Sequence, residues 1–347
     1  MWLCRIFVNF YLDSLMSNQK PPIILGIEGT AHTAGIAIIQ GKKILLNKTI
    51  TYTPSQGGIH PREASEFLGK MFPELLKEVK SELSFNFGML EAIAFSQGPG
   101  LGPCLRTTAT VARSLALLLN IPLIGVNHCI AHIELGRSLL ETYDPLVLYV
   151  SGGNTQLITF LNDKYRVLGE TLDIAIGNAL DSLGRELGLP HPGGPQIEKL
   201  ALKGKKILNL PYVIKGMSFS FSGIVTAAKR YIKSHSISDI CYSFQEFTFS
   251  ALAEATERAI ACTKKSSILL TGGVAANQRL QDMIKEVAKE QGVAYFVVPR
   301  NLSGDNGAMI ALAGLNMFQE KDFITIDQSR VKPRWRTDQV DVSWIHS

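Results

Sequence analysis

Short apolar runs separated by turn residues open the chain after residue 22. Three of these runs, over residues 23–27, 35–39 and 44–51, are bounded by glycine and polar residues, which is typical of β-strands. The tripeptide Gln40-Gly41-Lys42 forms the turn between the last two runs. The pattern therefore predicts three consecutive strands joined by turns.

The same pattern returns in residues 145–173. An apolar segment again enters a turn rich in glycine, serine and threonine, a second apolar segment follows, and Asn162-Asp163-Lys164 opens a third. An internal duplication is the economical explanation of two such copies.

Helical periodicity fills much of the remaining chain. Helices are predicted over residues 62–83, 105–119, 174–187 and 250–264. Strands at 268–270 and 294–298 enclose another helix, which runs to Glu290. In both copies, a group of strands is followed by alternating helices and strands. This repeated order predicts an α/β chain of two similar lobes. We expect the functional site in the cleft between the lobes.

This interpretation divides the chain into four parts, which are a leader (1–21), an N-terminal lobe (22–145), a C-terminal lobe (146–336) and a tail (337–347). The leader is apolar, but Arg5, Asn9 and Asp13 interrupt it, so it lacks the roughly 18 uninterrupted apolar residues of a membrane helix. It also lacks the basic start of a secretory signal. We expect the native chain to begin at Met16 and no part of it to enter a membrane.

Composition narrows the class of protein. Of 347 residues, 46% are hydrophobic and 19% are charged, which excludes disordered, collagen-like and coiled-coil proteins. The net charge of +5 permits a polyanionic partner without requiring one. Five cysteines, an odd number without a CxxC pair, argue against a disulfide framework and favour the reducing cytoplasm.

A histidine pair supplies the first candidate chemistry. His128 and His132 are four residues apart, so on a helix they share a face that grips a divalent metal. Cys129 stands where a zinc protease needs glutamate, which disfavours that class. Asp305 is the candidate third ligand, or else a helix cap. Tyr149 offers a phenol oxygen, or else is a packed strand aromatic.

Three glycine turns follow predicted strands: Gly29-Thr30, Ser151-Gly152-Gly153 and Thr271-Gly272-Gly273. Glycine allows a backbone to approach phosphate closely, and hydroxyls and free amides donate to its oxygens. Each turn alone is more simply a hairpin, but three at corresponding strand ends predict a nucleotide between the lobes. No GxxxxGK[ST] sequence occurs, so a P-loop is excluded.

A series of longer motifs spans residues 22–335 and resembles the Kae/TsaD/OSGEP family, the tRNA threonylcarbamoyltransferases with the ASKHA (actin, sugar kinase, Hsp70) fold. In chain order the motifs are GIEGTAHT, GIHPREA, GPGLGPCLR, NHCIAH, LYVSGGNTQL, GETLDIAIGNALD, PGGP, SFSFSG, LTGGVAAN, SGDNGAM and PRWR. Asn154 stands where bacterial members usually have histidine, which favours the archaeal and eukaryotic branch. Glu28-Gly29-Thr30 departs from the family, whose members usually carry serine in the middle, so Gly29 is assigned no contact.

The resemblance implies transfer of a threonylcarbamoyl group from threonylcarbamoyl-AMP to N6 of the adenosine 3′ of the anticodon, in tRNAs that read codons beginning with adenine. It implies one divalent metal, iron in preference to zinc, on His128, His132, Asp305 and Tyr149, and no covalent protein nucleophile. The adenine nucleotide (threonylcarbamoyl-AMP, AMP or ATP) is expected to contact Tyr149, Val150, Ser151, Gly152, Gly153, Asp181, Gly194, Glu198 and Asn277.

The resemblance also implies tRNA and the KEOPS complex as partners. The other KEOPS subunits are a small atypical protein kinase, a dimerising subunit and a kinase-binding subunit. Lys332, Arg334 and Arg336 either contact tRNA phosphate or form a solvated tail. Two alternatives remain from the residues alone, an ASKHA-fold small-molecule kinase and a nucleotide-gated nucleic-acid-binding protein.

Overall fold

A computed structural model describes residues 20–54 and 58–345, so the predicted start at Met16 lies outside the described residues. The first sheet has the strand order β3-β2-β1-β4-β5. Its strands are β1 (Ile23–Glu28), β2 (Thr33–Gln40), β3 (Lys43–Thr51), β4 (Ala92–Gly98) and β5 (Leu123–Asn127). The first three strands pair antiparallel, and β4 and β5 continue the sheet in parallel from β1.

A second sheet repeats this arrangement. Its order is β12-β11-β6-β7-β8, with three antiparallel strands followed by two parallel ones. The strands in this half of the chain are β6 (Leu146–Val150), β7 (Thr155–Leu161), β8 (Lys164–Glu170), a separate short pair β9 (Ile214–Lys215) and β10 (Ser218–Phe219), β11 (Ser267–Thr271) and β12 (Ala294–Val297). The two α/β lobes predicted from the repeated sequence pattern therefore share one strand order.

Helices connect the strands and cover the sheets. They are α1 (Pro61–Leu83), α2 (Gly102–Leu119), α3 (His128–Leu140), α4 (Ile176–Glu186), α5 (Gly193–Ala201), α6 (Ser222–Arg230), α7 (Ile237–Thr263), α8 (Gln278–Glu290), α9 (Arg300–Ser303) and α10 (Gly307–Gln319). Among the described residues, none of these helices combines the length and apolar character needed to cross a membrane.

Helix α10 lies directly against β1 and β2, and glycine permits this approach. A Cβ atom on Gly307 would lie 2.4 Å from the backbone nitrogen of Ala37, and one on Gly26 would lie 2.2 Å from the carbonyl oxygen of Gly307. Both distances are far shorter than van der Waals contact, so side chains are excluded there. This contact holds the turn before α10, which contains Asp305, beside the first sheet.

A shared apolar cluster joins the two halves of the chain. It contains Ile24 of β1, Ile133 of α3, Val147 of β6 and Ile310 of α10, each completely buried. Because α3 and α10 contribute to the same cluster as strands of both sheets, apolar burial positions them relative to both lobes. These are the two helices that border the candidate metal ligands.

Candidate metal centre and nucleotide cleft

Helix α3 carries the histidine pair and begins immediately after β5. The side chain of Asn127 caps it by accepting hydrogen bonds from the amides of Cys129 (3.0 Å) and Ile130 (3.2 Å). His128 is the first residue of the helix and His132 lies one turn later, with ring centroids 4.9 Å apart. Both residues are buried. The helical spacing therefore places the two imidazoles side by side.

Asp305 approaches the same point from the turn between α9 and α10. Its Oδ1 lies 3.2 Å from Nε2 of His132 and 3.5 Å from Nε2 of His128. One ligand atom from each of the three residues lies within 4.8 Å of the other two. The cap of α10 is the neighbouring Asn306, which accepts from the amide of Met309 at 3.1 Å. The carboxylate of Asp305 is therefore not used as a helix cap.

Tyr149, at the end of β6, lies beside this trio. The residue is completely buried, and its ring centroid is 5.1 Å from that of His132. Its hydroxyl has no hydrogen-bond partner among the described residues. A buried polar atom without a partner calls for an explanation. Two imidazoles, a carboxylate and a phenol oxygen are a donor set suited to iron or zinc, so these residues fit the implied metal.

Glu28, for which the sequence predicted no role, also belongs to this centre. It is completely buried, and its Oε2 lies 3.1 Å from Nδ1 of His128. Its Oε1 accepts hydrogen bonds from the amide (2.8 Å) and the hydroxyl (2.6 Å) of Thr30. A carboxylate on the far nitrogen of a ligand histidine fixes the tautomer and directs the lone pair of Nε2 outward. The available signal was an acidic residue that ends an otherwise apolar strand.

The glycine turn after β1, one of the three predicted to face the nucleotide, uses its backbone amides within the protein: Gly29 donates to Ser96 at 3.1 Å and Thr30 to Glu28 at 2.8 Å. The Thr30 hydroxyl donates to Glu28, and the carbonyl oxygen of Gly29 accepts from the Thr108 hydroxyl at 3.0 Å. A Cβ on Gly29 would lie 2.1 Å from that hydroxyl oxygen. Packing against α2 thus leaves no room for a side chain at Gly29.

The pKa values of the trio follow from burial and charge. Burial lowers the pKa of His128, but the carboxylates of Glu28 and Asp305 outweigh burial and raise it to about 9. Burial lowers the pKa of His132, which keeps that ring neutral. Burial raises the pKa of Asp305, but the two histidines outweigh it and hold that pKa below its usual range. A metal that binds here would therefore displace a proton from His128.

The loop after β6 presents backbone to the cleft. The hydroxyl oxygen of Ser151 accepts from the amide of Asn154 at 3.0 Å, which closes a tight turn. Gly152 and Gly153 are exposed, and a Cβ on either would meet no atom within 4 Å. The amide of Gly177, at the start of α4, donates to the Ser151 carbonyl oxygen at 3.2 Å. The exposed glycines provide room for a ligand beside Tyr149.

The other predicted nucleotide residues lie on helix α5 or beside it. Asp181 of α4 accepts from the amide of Gly193 at 2.7 Å, next to Gly194. Glu198 of α5 accepts from the amide of Gln278 at 2.7 Å. Asn277 caps α8 by accepting from the amide of Leu280 at 3.2 Å, and its amide group donates to Gln245 at 3.1 Å. These contacts bring α4, α5 and α8 together and place the predicted residues around one region.

Comparison with known proteins decides the family. The family model for TsaD, described as tRNA N6-adenosine threonylcarbamoyltransferase, matches residues 43–312. The chain belongs to this family. Curated relatives agree: a tRNA N6-adenosine threonylcarbamoyltransferase of Thermococcus sibiricus is 53% identical over 324 residues, which cover 93% of this chain and 100% of the relative. The resemblance inferred from the motifs is confirmed.

Longer relatives carry additional sequence. A probable bifunctional tRNA threonylcarbamoyladenosine biosynthesis protein of Methanocaldococcus jannaschii is 54% identical over 325 residues, covering 93% of this chain but 60% of the relative. A protein of the same description from Methanosarcina acetivorans is 51% identical over 330 residues and is also covered to 60% of its length. The chain thus spans about 60% of these two relatives.

Solved structures support the fold of this threonylcarbamoyltransferase family member. HypF of T. kodakarensis has a TM-score of 0.62 at 16% identity, covering 90% of this chain and 49% of that one. An activator of 2-hydroxyisocaproyl-CoA dehydratase from Clostridium difficile has a TM-score of 0.52 at 12% identity, covering 86% of this chain and 97% of that one. At such identities the likeness shows the fold alone, and it confirms the predicted ASKHA architecture.

The basic segment that contains Lys332, Arg334 and Arg336 lies next to α3, the helix that carries the histidine pair. Asn127, the cap of α3, donates from its side chain to the carbonyl oxygen of Trp335 at 3.2 Å. The ammonium of Lys332 stands 4.0 Å from the centre of the Trp335 ring, a cation–π contact. Arg336 is engaged by Asp338 at 3.1 Å and Glu170 at 3.6 Å, whereas Arg334 is exposed. Lys332 and Arg334 are therefore the better placed of the three for a phosphate.

Proposed function

We propose that the chain transfers the threonylcarbamoyl group from threonylcarbamoyl-AMP to N6 of the adenosine 3′ of the anticodon, in tRNAs that read codons beginning with adenine. Membership of the transferase family is established above, and the convergence of His128, His132 and Asp305 carries the finer proposal. These three residues and Tyr149 would hold one divalent metal, iron in preference to zinc. The reaction takes place in the cytoplasm.

The residues of the cleft have separate tasks in this proposal. Ser151, Gly152 and Gly153 bind the phosphate, and the two exposed glycines do so through their backbone amides. Asp181 and Glu198 accept hydrogen bonds from ribose hydroxyls, and Asn277 reaches the base or the sugar. When bound, the metal supplies Lewis-acid stabilisation of the charge that develops on the acyl phosphate. AMP leaves with the electron pair of the broken bond, so no protein nucleophile is needed.

The partners follow from the same proposal. We expect the chain to act as the catalytic subunit of a KEOPS complex with a small atypical protein kinase, a dimerising subunit and a kinase-binding subunit. Lys332 and Arg334 would contact tRNA phosphate close to α3, because their segment is fixed to Asn127. The proposed lobes, 22–145 and 146–336, would hold the adenylate between them.

The test supplies the purified chain, its expected partner subunits, threonylcarbamoyl-AMP and tRNA, and follows modification of adenosine by mass spectrometry. Asp305→Ala should lose the metal and reduce transfer by about 100-fold or more, since even a residue that only orients a metal ligand contributes about 10–100-fold to metal affinity or activity. His60→Gln is the control, because His60 is exposed outside the site. Full modification by Asp305→Ala, or ATP-dependent phosphorylation of a sugar by the unaltered chain, contradicts the proposal.

A further inference from the structure

Two histidines from different halves of the chain meet close to Asp181, one of the predicted nucleotide contacts. His32 lies in the turn between β1 and β2, and His191 lies in the loop between α4 and α5. Their ring centroids are 6.0 Å apart, and the ring planes are inclined by 64°. The carbonyl oxygen of His32 accepts from the amide of Tyr52 at 2.8 Å, which fixes the backbone of this turn. The structure thus holds His32, from the first half of the chain, against His191 from the second half.

Two acidic groups that belong to different parts of the proposed site act on the His32 ring. The carboxylates of Asp305 and Asp181 both act on its ring electrostatically, and Nδ1 of His191 lies 3.8 Å from Oδ2 of Asp181. Asp305 is a proposed metal ligand, and Asp181 is a proposed ribose contact. An acyl-adenylate that spans these two points must place its phosphate and carbonyl group between them. The inference that follows therefore rests on the proposed function.

The Nδ1 atom of His32 is uncommitted, and burial favours the neutral form of the ring. Its Nδ1 is buried and has no hydrogen-bond partner among the described residues. Burial lowers the pKa of His32, His191 adds to this effect, and the opposing attraction of Asp305 and Asp181 does not reverse it. A neutral imidazole keeps one nitrogen lone pair that can accept a proton. His128 and His132, in contrast, direct their Nε2 atoms at Asp305.

We propose that His32 is a catalytic residue, the base that accepts the proton released by the attacking amine. The electron pair of the adenosine N6 atom forms the new bond to the carbamoyl carbon. The bond from that carbon to the phosphate oxygen breaks, and AMP departs with the electron pair. N6 then carries a surplus proton, which passes to the free lone pair of the His32 imidazole.

Removal of the proton by a base would accelerate attack by the adenosine amine. The lone pair of an exocyclic adenine amine is delocalised into the ring, so the amine is a weak nucleophile. Positive charge grows on the nitrogen as the new bond forms, and a base within reach removes it in the transition state. Such proton transfer contributes about 10²–10⁴-fold to the rate of enzymatic reactions.

The experiment compares His32→Gln and His32→Ala with wild type in single-turnover transfer from threonylcarbamoyl-AMP to tRNA, with the partner subunits present. We expect both variants to react about 100-fold more slowly or worse, with unchanged AMP affinity and unchanged metal content. His60→Gln is the matched control, since His60 is exposed and its side chain makes no cap hydrogen bond at α1. It should react like wild type.

The pH profile and chemical rescue separate a base from a residue that only shapes the site. The wild-type rate should rise with pH below the ordinary histidine pKa of 6.5 and then level off, because His32 must be unprotonated to act. His32→Gln should lose this rise. Free imidazole should restore part of the rate of His32→Ala, provided that circular dichroism and AMP binding show the variant to be folded.

Each result of these experiments supports or refutes the role of His32 as the base. Transfer by His32→Gln at the wild-type rate, with wild-type product present, refutes the inference alone. A loss that lies wholly in AMP affinity or metal content also refutes it, as does an unchanged pH profile or a folded His32→Ala variant that imidazole fails to rescue. Absence of product in wild type refutes the proposed function, and the inference falls with it.

Discussion

The two ligand histidines have different surroundings, and this difference governs how each behaves. His128 is held by Glu28 through Nδ1, whereas Nδ1 of His132 is buried without a partner among the described residues. The motif predicted the histidines, because an i, i+4 pair is readable from spacing. Glu28 lies 100 residues earlier in the chain, and no local pattern connects it to His128.

Replacing Glu28 by Gln tests this orientation. The amide keeps the shape of the side chain but removes the charge that stabilises the His128 ring, so metal affinity should fall by about 10–100-fold. Isothermal titration with Zn²⁺ and Fe²⁺ measures the change. Glu286→Gln, at an exposed position on α8, is the control and should bind metal like wild type. Unaltered affinity of Glu28→Gln contradicts the assigned role.

The raised pKa of His128 also predicts how the metal-free protein responds to pH. The folded-state pKa is about 9 against an ordinary value of 6.5, so protonation of His128 stabilises the fold fully below pH 6.5. That stabilisation is lost as pH rises through about 9, with a fall in unfolding free energy of about 3 kcal/mol. Urea unfolding of metal-stripped protein from pH 6.5 upward measures it, and Glu28→Gln should flatten the slope. Equal slopes in the two proteins would show that Glu28 does not raise this pKa.

At the scale of elements, apolar periodicity located the strands closely. Residues 23–27, 35–39 and 44–51 were predicted, and β1, β2 and β3 extend each run by a few residues or fewer. Helix α7 was predicted from residue 250, but it begins at Ile237. Its first half contains β-branched and aromatic residues that read poorly as helix, yet Ile240, Phe244 and neighbouring apolar side chains are buried in the core. Tertiary packing therefore overrode local propensity there.

Asn127, the cap of α3, contributes both to the stability of this helix and to the position of the metal ligands. Asn127→Ala removes two hydrogen bonds to helix amides and one to Trp335, at a cost of about 1 kcal/mol in unfolding free energy. Because His128 is the first residue of α3, metal affinity should fall as well. Ser236→Ala is the matched control: Ser236 caps α7 by accepting from the amide of Asp239, far along the chain from the metal residues. It should lower stability similarly and leave metal affinity unchanged; equal effects of both variants on metal affinity would contradict this account.

At the scale of the molecule, a buried polar network reinforces the apolar cluster between the two sheets. Glu134 of α3 accepts hydrogen bonds from the Tyr165 hydroxyl of β8 (2.6 Å), Asn316 of α10 (3.0 Å) and Arg137 (2.9 Å). The Glu134 carboxylate thus connects α3, the helix that carries His128 and His132, to β8 and to α10. The motif resemblance predicted the fold and the ligand residues, but this network joins residues up to 182 positions apart, which only the structure reveals.

The most direct measurement is anomalous X-ray diffraction from a crystal of the chain grown with iron or zinc and AMP. We predict one anomalous peak, from a metal ion bonded to His128, His132, Asp305 and Tyr149, with the AMP phosphate at Ser151, Gly152 and Gly153 beside it. A peak held by other residues, or AMP bound away from the metal, would contradict the central claim that one cation and one adenylate share this cleft.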